Sequence, residues 1–111
     1  MRTTFPAALL TTALATGLAV AQSAEQQLVA QGKSILTEKC SRCHQIGPSG
    51  RSPLGEAPPF RTLMGQYKAE HLEEALGEGL SSGHSVMPEF VFEPEQISAI
   101  VAYLGTLERK R

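Results

Sequence analysis

The sequence predicts an all-α fold of three to five helices. Three observations carry that expectation. Ser23-Ala24-Glu25-Gln26 fits the S-x-x-Q capping box, and Leu28, Gly32, Ile35 and Leu36 follow on one helical face. Leu72, Ala75, Leu76 and Leu80 form a second apolar face, with Glu70, Glu73, Glu74 and Glu78 on the opposite side. Ile97, Ile100, Val101, Leu104 and Leu107 form a third, after a proline suited to a first helical position, Pro94.

Taken in order, the chain begins with an export signal. Met1-Arg2 is a short positive start, Ala7 to Val20 is an uncharged apolar run, and Ala19-Val20-Ala21 offers a small-x-small cleavage pattern. The run is shorter than the roughly 20 residues that a comfortable membrane span needs. The expectation is a secretory signal at residues 1–21, cleaved to leave a domain at 22–111 outside the cytoplasm, with an uncleaved anchor as the alternative. The first helix should run from the Ser23 cap to about Glu38. Gly47 to Pro59 holds seven Gly and Pro residues, which excludes regular structure. Too little chain precedes it for a separate domain, so it reads as an ordered loop. Phe60 to Gln66 reads as a short helix and Lys68 to Leu80 as a clearer one, its end weakened by Gly77 and Gly79. Ser81 to Phe92 is a loop. The last helix follows Pro94, with Arg109, Lys110 and Arg111 complementing its negative end.

The 111 residues suit one domain. The formal charge is −1, and loss of Arg2 with the signal makes the mature chain slightly more acidic. There is no basic stripe, which excludes a nucleic-acid footprint. There is no Trp and few aromatics of any kind. A domain of this size is marginal on burial alone, so a bound apolar group would add bulk that its own side chains lack.

Cys40-Ser41-Arg42-Cys43-His44 decides the chemistry. It reads as C-x-x-C-H, the attachment site of a c-type haem. Two thiols at this spacing reach two vinyl groups at one edge of the porphyrin, and the adjacent His44 ligates iron. Three other readings compete. A thiol–disulfide pair usually comes with a strand–helix pattern that is missing around this motif. A zinc site needs more ligands at workable spacing, and only His71 and His84 remain, far downstream. A structural disulfide is the third. With one motif, one haem is expected.

The second axial ligand must come from Met64, Met87, His71 or His84. Met87 stands before Pro88 in the loop Ser85-Val86-Met87-Pro88-Glu89-Phe90. Pro88 restrains the residues before it toward extended geometry and so helps to fix the thioether. Without a haem motif, Met87 would read as core filler; with it, Met87 is the expected ligand. His84 lies three residues away and would give a bis-histidine iron of lower potential. His71, among glutamates, reads as solvated helix surface, and Met64 as core.

With the motif near the N-terminus, Met87-Pro88 late and a helix at each end, the chain resembles a monohaem class I c-type cytochrome. The Ala57-Pro58-Pro59-Phe60-Arg61 run and Gly83-His84-Ser85-Val86-Met87-Pro88 are similar to small bacterial periplasmic members. The resemblance spans essentially all of the mature chain. It implies a cytochrome c fold around one covalent haem c, in which the terminal helices cross with a small residue, here Gly32, against an aromatic, here Tyr103. It implies a proline carbonyl, from Pro53 or Pro48, that accepts the His44 N–H and raises ligand basicity. Arg61 is a candidate for pairing a haem propionate, with a solvated arginine as the alternative. The implied function is periplasmic one-electron transfer with His44 and Met87 on the iron, not enzymatic catalysis, through transient contact with redox donor and acceptor proteins. Lys33, Lys39 and Arg42 around the motif and the acidic Glu70–Glu78 face would orient such contact, with a merely solvated charge distribution as the alternative. The alternatives are a haem-based peroxidase, a gas-binding sensor, or a haem subunit of a larger redox enzyme. The chain is shorter than mitochondrial-type relatives and lacks their positive charge, so their partners do not carry over.

Overall fold

The computed structural model describes residues 1–8, 22–80 and 86–108. The cleavage triplet Ala19-Val20-Ala21, His84 and the basic Arg109-Lys110-Arg111 lie outside these. Among the described residues the secondary structure is helical apart from one isolated β-bridge, in line with the all-α expectation. No helix among them is long and apolar enough to cross a membrane.

Helix α1 spans Ala24–Lys39. The Ser23 hydroxyl accepts from the Gln26 amide at 3.1 Å and the Gln26 side chain accepts from the Ser23 amide at 3.0 Å, so two otherwise orphaned amides are satisfied. Its buried face is Gly32 and Leu36. Helix α2, Phe60–Met64, is a single turn led in by Pro59. Helix α4, Pro94–Gly105, carries proline at its first turn and buries Ala99, Ile100, Tyr103 and Leu104. The Gln96 side chain accepts from the Glu93 amide at 3.0 Å.

The expected helix from Lys68 to Leu80 is instead two pieces. Ala69–Leu72 is wound as a 3-10 turn and Glu73–Glu78 is helix α3. Lys68 is extended and Leu72 has ψ −9°, values that tighten the first turn and offset it from the second. The Ala69 amide donates to the Glu108 carboxylate at 2.7 Å, so a residue beyond α4 fixes where this segment begins. Gly79, at φ 115°, ends it in a conformation that a side chain rarely adopts. The last helix also stops at Gly105, short of Leu107, although Leu107 still packs against the core.

Helices α1 and α4 form the most extensive contact between elements. Gly32 makes it close. A Cβ there would run into the Ala99 carbonyl and lie 2.9 Å from Tyr103 Cβ. Around this crossing gather Leu36, Ile46, Met64, Ala69, Leu76, Phe92, Ile100, Tyr103 and Leu104. Met64 is thus core, as its position suggested, and His71 is exposed beside Glu70.

Candidate functional site: the Cys40–His44 turn and its clasp

The end of α1 delivers the motif. The Cys40 and Ser41 amides both donate to the Leu36 carbonyl, at 2.8 and 3.1 Å, which ends the helix. The Cys43 and His44 amides then donate to the Cys40 carbonyl, at 3.2 and 2.9 Å. This turn brings two free, half-buried thiols and one imidazole together.

Three consecutive anchors hold the turn. The Leu54 amide donates to the Cys43 carbonyl at 3.1 Å and the Phe60 amide to the Gln45 carbonyl at 2.9 Å. The Tyr103 hydroxyl donates to the Ile46 carbonyl at 2.7 Å. Burial pushes the Tyr103 phenol above its usual range and keeps it a donor. The Gly- and Pro-rich loop is correspondingly ordered. Ser52 accepts from the Gln45 amide at 3.0 Å, and the Gln45 side chain accepts from the Gly47 amide at 3.0 Å.

His44 Nδ1 lies 2.8 Å from the Pro58 carbonyl oxygen. A carbonyl only accepts, so Nδ1 carries the proton and Nε2 is the nitrogen left for a metal. This corrects the expectation of Pro53 or Pro48. Gly50, at φ 94°, turns the intervening loop, and Pro58, at its far end just before α2, is the proline that comes back over the ring. The Phe60 ring covers the imidazole, with centroids 4.8 Å apart and planes at 34°. Neither Pro58 nor Phe60 was singled out for this role by sequence; the only signal was their place in the Ala57–Arg61 run.

Burial, and to a lesser degree Cys43, pushes the Cys40 thiol up to about 11. Reactive cysteines are instead found with lowered values. The donor set suits a covalently held haem: two thiols on one turn, and an imidazole fixed by its second-nearest shell in one tautomer. Arg61 adds a third element. Its Nη1 is buried and has no hydrogen-bond partner among the described residues, as a cation awaiting an anionic partner would be.

Met87 is half-buried in irregular chain. The base of its loop is closed by the Leu80–Phe90 bridge, with the Leu80 amide donating to the Phe90 carbonyl at 3.3 Å, and by the Phe92 amide donating to the Leu76 carbonyl at 3.1 Å. The loop is therefore tied to α3 at one end and enters α4 at the other.

Residues 27–104 match the family model described as cytochrome C oxidase, cbb3-type, subunit III. That span runs from early α1 almost to the end of α4 and takes in the whole Cys40–His44 turn, its clasp and Met87. Neither the curated proteins nor the solved structures hold a match to the chain. A family match over most of the sequence, taking in a turn that brings two thiols and one imidazole together, makes this chain a member of that family and a c-type cytochrome domain with a covalent haem c.

Proposed function

We propose that the chain is a periplasmic one-electron carrier, matured at Gln22, that holds haem c through Cys40 and Cys43 and ligates its iron with His44 and Met87. The observation that carries this reading is the His44–Pro58 hydrogen bond of 2.8 Å. It commits the ring to one tautomer and leaves Nε2 as the nitrogen that would ligate the iron. Bound haem c supplies an iron that takes up and releases one electron at a time. The chain's own part is to keep that iron's surroundings fixed. The pinned carbonyls of Cys43, Gln45 and Ile46 hold the proximal side still. Met87, on a loop tied at its base, would supply a thioether ligand, and thioether ligation favours the reduced metal. Arg61 pairs a propionate, and the exposed charges Lys33, Lys39 and Arg42 on one side and Glu70 to Glu78 on the other orient brief contact with donor and acceptor proteins.

A visible spectrum and redox titration of the purified mature protein, with its intact mass, test this. The expected result is one covalent haem on a chain beginning at Gln22, a low-spin spectrum in both oxidation states and a single one-electron wave. A mass without haem after expression with the maturation machinery sinks the proposal. The description of the matched family favours a second reading, a haem subunit of a larger redox enzyme. Purification from solubilised membranes separates the two, since a subunit travels with its complex and a carrier does not.

A further inference from the structure

We propose that Phe60 is a positioning residue that sets the rotational angle of the His44 imidazole about its bond to iron. The inference rests on the reading of His44 as an iron ligand. A hydrogen bond accepts a broad range of angles. The Pro58 carbonyl therefore anchors one edge of the ring without fixing its plane. The Phe60 ring, 4.8 Å away and inclined by 34°, meets the face and closes the freedom that the hydrogen bond leaves. Phe60 is itself held. Its amide donates to the Gln45 carbonyl at 2.9 Å, one residue beyond His44. It opens α2 behind two prolines whose backbones are restricted, and it packs against the core. Pro58, Pro59 and Phe60 thus grip the imidazole by edge and face, as one short rigid piece.

The angle of the imidazole plane determines which iron d orbital it overlaps, and so how unpaired spin spreads over the ferric porphyrin. The order and spread of the haem methyl resonances in a paramagnetic NMR spectrum read it out directly. In the holoprotein, Phe60→Leu should reorder or compress those resonances, while Phe60→Tyr, which keeps the ring face, should retain the wild-type pattern. Met64→Leu disturbs the neighbouring core without touching His44 and should also retain it. Should Phe60→Leu fail to mature, Phe60→Met, unbranched and without a ring face, carries the same expectation. If the wild-type iron is low-spin and histidine-ligated but the Leu or Met variant keeps its methyl pattern, or Met64→Leu shifts it as much, the inference is overturned and the ligand reading stands. A wild-type iron without histidine ligation overturns both.

Discussion

Tyr103 shows how one side chain can serve two ends. Its Cβ lies against Gly32, and its hydroxyl reaches the Ile46 carbonyl two residues past His44. Burial raises the phenol above its ordinary value near 10. A group that holds its proton more tightly when folded adds stability that is fully present below the ordinary value and is lost as pH rises through the folded-state one. Tyr103→Phe should cost about 1–3 kcal/mol at neutral pH, because the buried carbonyl loses its donor. It should also lose less stability than wild type on going to strongly alkaline pH. Denaturant unfolding of both holoproteins at neutral and strongly alkaline pH checks this, and equal alkaline losses would count against it. At this scale the sequence was legible where chemistry dictates residue type. Cys40, Cys43 and His44 can be read directly because covalent attachment demands that spacing. Pro58 was not legible as the acceptor, since any of several carbonyls in a loop of Gly and Pro satisfies the chemistry and only the path of the folded loop selects one. The Tyr103 hydroxyl was hidden for the same reason, its partner lying 57 residues away.

Elements were legible in proportion to how locally they are specified. Ser23 and Gln26 cap α1 from within four residues, and Pro94 opens α4, so both starts follow from neighbours in sequence. The break at Leu72 depends on Glu108 holding the Ala69 amide, a contact between distant parts of the chain that no local pattern announces. The contact between α1 and α4 lies between these cases, since a glycine in a helix is a local oddity whose reason is tertiary. Gly32→Ala isolates that reason. Alanine favours an isolated helix by about 0.8–1.0 kcal/mol over glycine. Here its Cβ meets the Ala99 backbone carbonyl, which cannot rotate away as a side chain would. Overpacking of this kind costs about 1–3 kcal/mol, so the net effect should be a loss of stability despite the gain in propensity. Denaturant unfolding of the holoprotein measures it. A variant as stable as wild type would mean that the helices do not approach as closely as the structure places them.

At the scale of the whole molecule, the two iron ligands proposed, His44 and Met87, stand on differently built stretches, and the second of them is where a carrier and an enzyme would differ. The proximal side is one continuous stretch, Cys40 to Phe60, knotted by local hydrogen bonds and tied to α4 through Tyr103. The thioether proposed for the other side, Met87, stands on a loop whose base is tied by the Leu80–Phe90 bridge and by the Phe92 amide on the Leu76 carbonyl. The proposed thioether closure is an equilibrium between ligated and released thioether, and an external ligand binds only to the fraction in which Met87 has let go. Its apparent affinity is reduced by that fraction. If closure is favoured by about a hundred to one, Met87→Ala should raise carbon monoxide affinity of the ferrous protein by about a hundredfold, lower the reduction potential, and abolish the weak far-red sulfur-to-iron band of the ferric form. His84, three residues away in sequence, is the one imbalance in this experiment, because an imidazole that moves into the opening would mask the gain. Met87→Ala with His84→Ala should then bind carbon monoxide more readily than Met87→Ala alone. Carbon monoxide titration, the near-infrared spectrum and redox potentiometry of the wild type, the two single variants and the double variant read all these outcomes. Absence of the far-red band in the wild type and an unchanged potential in Met87→Ala, with loss of low-spin ligation in His84→Ala, would transfer the axial role to His84. Ready binding of carbon monoxide by the wild type would instead mean that the distal side is open, which is the behaviour of a sensor or a peroxidase and not of a carrier whose metal must stay closed to everything but electrons.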